Sequence, residues 1–181
     1  IKNMRACSQH IDQLREKTGR DIHLGMEPEP LGLFENTKES IEFFDRLIDG
    51  LSSEESESLL RNIGINYDTC HFAIEFEDAA SSLNTLTSNG LRISKIHLSS
   101  ALTLPPSDAN IDRLKTFHDE VYLHQTIIQN QGEVTHRFRD IPEVTEWYPN
   151  NRDQAGDEWR VHFHIPLHAE PDGDFGDTTS Q

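Results

Sequence analysis

Residues 63–76 read IGINYDTCHFAIEF, and this stretch indicates the fold class that we expect for the chain. Its first half, IGINYD, is an apolar run with the residue types of a buried β-strand, and it stops on the carboxylate of Asp68. His71 follows three residues later. The stretch therefore predicts a buried strand over residues 63–68 that carries polar, metal-competent side chains at its C-terminal end.

Two further strand candidates show the same pattern on either side of this segment. IHLGME at 22–27 ends on Glu27, and LRISKIHLSS at 91–100 carries His97. Helical patterns separate the strands, which recur at intervals of about thirty to forty residues, and such alternation is typical of βαβ units. The sequence therefore predicts an α/β protein with a parallel sheet.

Four helices are predicted in this part of the chain from apolar spacing and terminal signals. The opening residues place Met4, Cys7, Ile11 and Leu14 on one helical face. A second helix follows Asn36 or Thr37 as N-cap and ends at Gly50. A third begins with the capping-box pair Ser52 and Glu55, and a fourth ends at Gly90.

The alternation of strands and helices breaks down after residue 105. Residues 105–120 indicate a short helix, and residues 121–141 indicate a β-hairpin that turns near 130–132. We interpret the acidic, tryptophan-containing residues 143–158 as a loop, and residues 158–168 (EWRVHFHIPLH) as a further strand. Residues 105–158 are therefore predicted to be an insertion.

The composition disfavours several classes of function. The 181 residues include 32 acidic and 16 basic side chains, a formal charge of −16, which disfavours binding to nucleic acid or to anionic membranes. No apolar run approaches the length of a membrane-spanning helix, so we expect no membrane insertion. Two distant cysteines, Cys7 and Cys70, give no disulfide framework, which favours a cytoplasmic location. The chain has no initiator methionine and ends in a polar loop, so we expect it to be a segment of a longer protein.

The three polar side chains at the predicted strand ends suggest a metal site. In a (β/α)₈ barrel the inward side chains at the C-terminal ends of the strands converge at the mouth. Glu27, Asp68 and His97 would meet there, where two carboxylates and an imidazole would repel each other or lose solvation unless a cation joined them. The mixed oxygen and nitrogen set suits Mn²⁺ or Zn²⁺. Each residue taken alone has an ordinary alternative, as a helix cap, a solvated loop side chain or a core histidine.

Several short motifs resemble a known superfamily. EPEP at 27–30 is similar to the strand-end EPKP of xylose isomerases, although Glu29 replaces the lysine. DTCH at 68–71 and KIHLSS at 95–100 resemble motifs of endonuclease IV. In order and spacing the chain most resembles the EboE family of metabolite-traffic proteins, which are similar to sugar-phosphate isomerases and epimerases. Its landmarks here are EPEPLGLFENTKES, YDTCHFAIEFED, KIHLSSAL, YLHQ and WRVHFHIPL.

This resemblance implies a partial (β/α)₈ TIM barrel of the xylose-isomerase-like type. Residues 1–181 would be the C-terminal part of a single barrel domain, comprising strands five to seven and a β-hairpin insertion before the last strand. The chain would be truncated at both ends. A further glutamate ligand would then lie beyond Gln181.

The resemblance also implies an activity and residue roles. It suggests metal-dependent isomerisation or epimerisation of a small polyhydroxy metabolite, such as a sugar or sugar phosphate, by metal-stabilised enediolate proton transfer. Glu27, Asp68 and His97 would bind the divalent metal, and Glu27 or the eighth-strand glutamate would move the proton. His71 would face the substrate oxygens or a second metal.

Other candidate residues have more than one interpretation. Lys95 could neutralise oxyanion or phosphate charge in catalysis, or pair with a carboxylate. His162 and His164 alternate on one strand face, as a metal-binding pair does, but a polar interior face or a substrate wall fits equally well. We interpret Cys70 as a packing residue.

Two other functions remain open at this point. A multi-zinc phosphodiesterase of the endonuclease IV type is favoured by DTCH and opposed by the acidic charge. A non-catalytic carrier would use the same barrel mouth to bind a metabolite. The oligomeric state is not indicated by the sequence.

Overall fold

The computed structural model describes residues 1–180, which form two compact units. The first unit comprises residues 1–68 and 79–97, and the second comprises residues 69–78 and the chain from residue 98 onward. Each unit contains its own β-sheet. The mixed α/β class predicted from the sequence is confirmed, but residues 1–180 form no closed barrel.

The first unit contains a three-stranded parallel sheet in the order β1-β2-β3. Its elements, in chain order, are α1 (Lys2–Thr18), β1 (Leu24–Met26), α2 (Thr37–Ile48), α3 (Ser53–Asn62), β2 (Ile63–Asp68), α5 (Ala79–Ser88) and β3 (Ile93–His97). The central strand β2 is buried along its whole length, and the two edge strands are partly exposed. The sheet is therefore organised around the segment IGINYD.

Local sequence signals determine where the helices of this unit begin. The Asn36 side chain accepts a hydrogen bond from the backbone N–H of Glu39 and caps α2. Ser52 and Glu55 form the reciprocal capping box that starts α3. The helices cover the sheet with buried apolar side chains, among them Phe43, Phe44, Leu47, Leu59 and Leu86.

The second unit contains a five-stranded antiparallel sheet in the order β6-β5-β7-β4-β8. Its elements are α4 (Thr69–Ile74), β4 (Ser100–Leu104), α6 (Asp108–Lys115), β5 (Thr126–Asn130), β6 (Glu133–Phe138), α7 (Ile141–Trp147), two 3₁₀ turns (Tyr148–Asn150 and Arg152–Gln154), β7 (Glu158–Ile165) and β8 (Gly176–Asp177). Trp159, Leu104 and Leu114 belong to its main core, which packs α6 and α7 on the sheet. A smaller cluster of Cys70, Ile74, Ala101 and Ile127 holds α4 against it.

Several predicted elements are confirmed, and three details differ. The hairpin is present, with β5 and β6 joined through Gln131 and Gly132, both at positive φ. The strand predicted over 91–100 ends at His97, and a separate strand, β4, begins at Ser100. The prediction of a loop over residues 143–158 was wrong for its first part, because helix α7, which Asp140 caps, continues to Trp147. Residues 69–74 form the short helix α4, which the sequence did not predict.

No helix within the described range 1–180 has both the length and the apolar character required to cross a membrane.

Candidate metal centres

The first group of candidate ligands is in the first unit and consists of Glu27, Asp68 and His97. One potential ligand atom from each residue lies within 4.8 Å of those of the other two. His97 Nδ1 is 3.0 Å from Glu27 Oε1 and 3.2 Å from Asp68 Oδ2. The sequence predicted that these three side chains would converge, and the structure brings them together.

The register of the parallel sheet explains this convergence. Asp68 pairs with His97 across β2 and β3, so their side chains leave the sheet side by side. Glu27 directly follows β1, whose last residue, Met26, pairs with Ile65 on the other side of β2. The carboxyl ends of three adjacent parallel strands therefore deliver the two carboxylates and the imidazole to one edge.

Asn66 completes this first group, and we did not predict its role. Its Nδ2 donates a hydrogen bond to Glu27 Oε2 at 2.8 Å and lies 3.3 Å from His97 Nδ1. Its buried Oδ1 has no hydrogen-bond partner among residues 1–180. Side-chain alternation had placed Asn66 on the same face as Asp68, which was the available signal. An oxygen acceptor buried beside two carboxylates is a further donor suited to a hard cation.

The electrostatics of the first group favour a positive ion. Asp68 is only 2% exposed, whereas the Glu27 and His97 side chains are about one-third exposed, at 34% and 35%. Two carboxylates that approach one imidazole nitrogen carry more negative charge than one imidazolium can neutralise. Because Glu27 and His97 remain accessible, a cation held there would also be open to a small molecule. The set fits a divalent metal.

The second group is in the second unit and consists of three imidazoles. His164 Nε2 lies 3.0 Å from His162 Nε2 and 3.3 Å from His71 Nε2. His162 and His164 project from the same face of β7, whereas His71 comes from α4, which packs against β7. His164 Nε2 therefore lies close to one imidazole nitrogen from its own strand and to one from α4.

Polar side chains orient two of these imidazoles through their other ring nitrogens. Gln125 Oε1 is 2.6 Å from His162 Nδ1, and Ser99 Oγ is 3.0 Å from His164 Nδ1. Gln125 is fixed because its backbone carbonyl accepts a hydrogen bond from His162 N, and Ser99 is fixed because its backbone N–H donates to Thr69 Oγ1. Outer partners of this kind are typical of metal-binding histidines. Gln125 and Ser99 carried no sequence motif that would have revealed them.

The remaining candidates occupy less informative positions. Lys95 is exposed on β3, and within the described chain it forms no ion pair, so its predicted catalytic role stays a prediction. Cys70 is fully buried, and its thiol donates to the Phe163 carbonyl oxygen at 3.3 Å. Its Sγ also lies within 4.8 Å of ligand atoms of His162 and His164. The proximity of Cys70 Sγ to these two imidazoles is a feature that the predicted packing role did not include.

Comparisons with protein-family models, with curated proteins and with solved structures gave no match to this chain.

Proposed function

We propose that this protein is a metal-dependent isomerase or epimerase that acts on a small polyhydroxy metabolite, such as a sugar or sugar phosphate. The observation that carries the proposal is the convergence of Glu27, Asp68 and His97 at the end of three parallel strands. The motif resemblance contributes the substrate class. A bound divalent cation would polarise a substrate carbonyl and stabilise the negative charge that develops when a neighbouring C–H loses its proton.

The residues of the first group have distinct roles in this proposal. Asp68 is buried and pairs with His97 across the sheet, so it is the ligand that holds the cation on the side away from solvent. Glu27 is more exposed, and its two oxygens are oriented separately by Asn66 and His97. Because an exposed, oriented carboxylate can reach a bound substrate, Glu27 is the candidate base that removes the proton.

The proposed fold is a set of neighbouring strands from a (β/α)₈ barrel of the xylose-isomerase-like type. Support comes from the parallel order β1-β2-β3, from the helices that follow β1 and β2, and from polar groups at the carboxyl ends of the strands. Active sites of such barrels lie at that end. The hairpin of β5 and β6 belongs to the proposed insertion over residues 105–158.

Metal content tests the ligand assignment. We expect Asp68→Asn to remove most of the Mn²⁺ or Zn²⁺ bound at the first group, because the change keeps the side-chain shape and removes a buried anionic ligand. Asp45→Asn, at an exposed position on α2, is the matched control and should retain the metal. Equal metal content in the two folded variants, measured by elemental analysis after dialysis, would refute the assignment.

Proton transfer can be tested without knowing the product. Isomerases and epimerases of this type remove a proton next to a carbonyl, so incubation with aldoses, ketoses and their phosphates in D₂O should place deuterium at that carbon. NMR detects this exchange even where the overall equilibrium is unfavourable. We expect exchange with the metal-loaded protein and about a hundredfold less, or lower still, with Glu27→Gln, because the variant lacks the general base. Binding of these compounds with no exchange would favour the non-catalytic carrier.

A phosphodiesterase is the second candidate, and the three clustered imidazoles favour it because that chemistry uses several metal ions. The formal charge of −16 opposes a nucleic acid substrate. Hydrolysis of bis(p-nitrophenyl) phosphate, lost on substitution of His164, would support this alternative over the isomerase.

A further inference from the structure

We propose that Asp140, His118 and His124 form an acid-sensitive clasp, which holds residues 118–125 on the second unit at neutral pH and releases them in mildly acidic solution. These residues, which we call the clasp segment, connect the turn after α6 with β5 and contain no helix or strand of their own. The proposal does not depend on the isomerase activity or on a bound metal.

Asp140 is the fixed half of the clasp. Its Oδ1 accepts a hydrogen bond from the backbone N–H of Ile141 at 2.8 Å, which caps α7, and another from the backbone N–H of His124 at 3.0 Å. Both carboxylate oxygens also face imidazoles, because His118 Nε2 lies 3.6 Å from Oδ2 and His124 Nδ1 lies 3.7 Å from Oδ1. One carboxylate, only 16% exposed, therefore ties the end of the clasp segment to the start of α7.

The His124 ring is buried in surroundings that suit a neutral imidazole. His124 is 7% exposed, and its ring stacks on Phe163 of β7 with the ring centroids 4.3 Å apart. Its Nδ1 is buried and has no hydrogen-bond partner within residues 1–180, since the 3.7 Å to Asp140 is too long for a hydrogen bond. Protonation of this ring would therefore create a positive charge in a largely desolvated position.

Burial is the strongest influence on protonation of His124. It lowers the pKa of His124 below the ordinary value of 6.5, and repulsion from His118 acts in the same direction. The carboxylates of Asp140 and Asp119 oppose this shift without outweighing it. These charged and titratable groups face the ring from the start of α7 and from the clasp segment itself, whereas β7 contributes the uncharged ring of Phe163.

Linkage gives the direction of the pH effect. Because the closed segment binds the His124 proton less readily than the released segment, the clasp is fully held above pH 6.5 and is lost as the pH falls through the lower pKa of the closed state. The released population rises by up to about tenfold for each pH unit below 6.5. His118 adds to the effect, because the single charge of Asp140 cannot neutralise two imidazolium ions.

Release of the clasp segment would also affect the second group of candidate ligands. Gln125 directly follows His124, its Oε1 lies 2.6 Å from His162 Nδ1, and its backbone carbonyl accepts a hydrogen bond from His162 N at 2.9 Å. When the segment leaves, His162 loses both of these contacts. The clasp therefore couples the acidity of the solution to the orientation of His162.

Limited proteolysis at two pH values tests the clasp in the full chain. Chymotrypsin should cleave after Tyr122 or Leu123, which are 71% and 58% exposed, once the surrounding backbone opens. A free peptide of residues 115–128 corrects for the pH dependence of the protease itself. Relative to this peptide, we expect cleavage of the wild-type chain to rise about fivefold to tenfold between pH 7.5 and pH 5.5.

Two histidine variants identify the group that titrates. His124→Gln should remove the rise in cleavage, because glutamine does not take up a proton in this range. His168→Gln is the matched control, at an exposed histidine outside the clasp segment, and should retain the rise. A rise of equal size in His124→Gln, or no rise in the wild-type chain, would overturn the proposal.

The wild-type chain allows a second test that needs no stable histidine variant. The NMR titration of the assigned His124 ring should have its midpoint below pH 6.5, and a midpoint at or above this value would contradict the proposed clasp. Asp140→Asn keeps the shape of the fixed half and removes its charge, so it should increase cleavage already at pH 7.5. Unchanged cleavage in Asp140→Asn would show that this carboxylate does not hold the segment.

Discussion

Asn66 illustrates how a single neutral residue can organise a charged cluster. Its amide nitrogen contacts Glu27 and lies close to His97, so it fixes the outer carboxylate relative to the imidazole. An amide can do this without adding charge of its own. The metal-binding geometry proposed for the first group therefore depends on a neutral residue that lies outside the EPEP, DTCH and KIHLSS motifs.

Asp12 is the residue for which protonation and stability are most directly coupled. Its carboxylate accepts hydrogen bonds from the buried Asn62 amide at 2.9 Å, from Arg61 at 3.0 Å and from Ser58, which ties α1 to α3. Burial raises the pKa of Asp12, but the hydrogen bonds from Asn62, Ser58 and Arg61 outweigh it, so the pKa lies below its ordinary value of 3.8. The folded chain therefore binds this proton less readily than the unfolded chain.

The sign of the resulting pH dependence follows from linkage. Stability contributed by Asp12 is fully present above pH 3.8 and is lost as the pH falls through the lower folded-state pKa. We expect Asp12→Asn to reduce the free energy of unfolding by about 1–3 kcal/mol at neutral pH, because Asn62 loses its charged acceptor. Urea unfolding between pH 7 and pH 3 should show this difference shrinking at the acidic end. A difference that stays constant over the range, or one matched by Asp45→Asn, would contradict this account.

At the scale of elements, the strand β2 and its contacts set the position of the first group. Gly64 lies where β2 passes the start of β3, and a Cβ there would be 2.4 Å from the Arg92 carbonyl oxygen and 2.6 Å from Ser94 Oγ. The same carbonyl accepts the hydrogen bond from Ile65 N at 2.8 Å. Close pairing of the two strands therefore requires glycine at this position.

Gly64→Ala should consequently separate β2 from β3. We expect a loss of about 1–3 kcal/mol in the free energy of unfolding, as for other overpacked sites, and a lower metal content because Asp68 and His97 lie on the separated strands. Gly25→Ala is a graded comparison, since its Cβ would meet neighbours at 3.1–3.2 Å and should cost less. Thermal unfolding of both variants measures the loss of stability, and elemental analysis measures their metal content. Equal effects at the two positions would show that the Arg92 contact is not decisive.

The elements that sequence predicted correctly are those with local signals. The caps at Asn36 and Ser52 and the apolar run of β2 each act within a few residues, so they can be read directly. The parallel order of strands then brought Glu27, Asp68 and His97 together as expected.

The elements that sequence missed depend on distant partners or on weaker signals. Nothing near Ser100 marks the change from the parallel sheet to the antiparallel one, because β4 is defined by pairing with β7 sixty residues later. α4 is a single short helix held by packing on Ala101 and Ile127. α7 did carry a local signal, Asp140 followed by Pro142, which the acidic composition of the region obscured.

At the scale of the whole molecule, strong negative charge coexists with exposed strand edges. β1 and β3 are the edges of the three-stranded sheet, and Leu24 and Ile96 on them are 38% and 46% exposed. Such edges are templates for pairing with other chains. The formal charge of −16 opposes this association at low salt, and screening over about 8 Å at physiological ionic strength weakens the repulsion.

Salt should therefore promote self-association, and a charge on the β3 edge should suppress it. We expect light scattering to rise between 10 mM and 500 mM NaCl for the wild-type chain and to stay low for Ile96→Lys. Leu33→Lys is the matched control: it makes the same change in net charge at an exposed loop position, 77% accessible, away from the strands. Because either lysine brings the net charge one unit closer to zero, a general charge effect would increase association in both variants. Suppression only in Ile96→Lys would locate association at the edge, whereas equal behaviour of the two would exclude the edge as its origin.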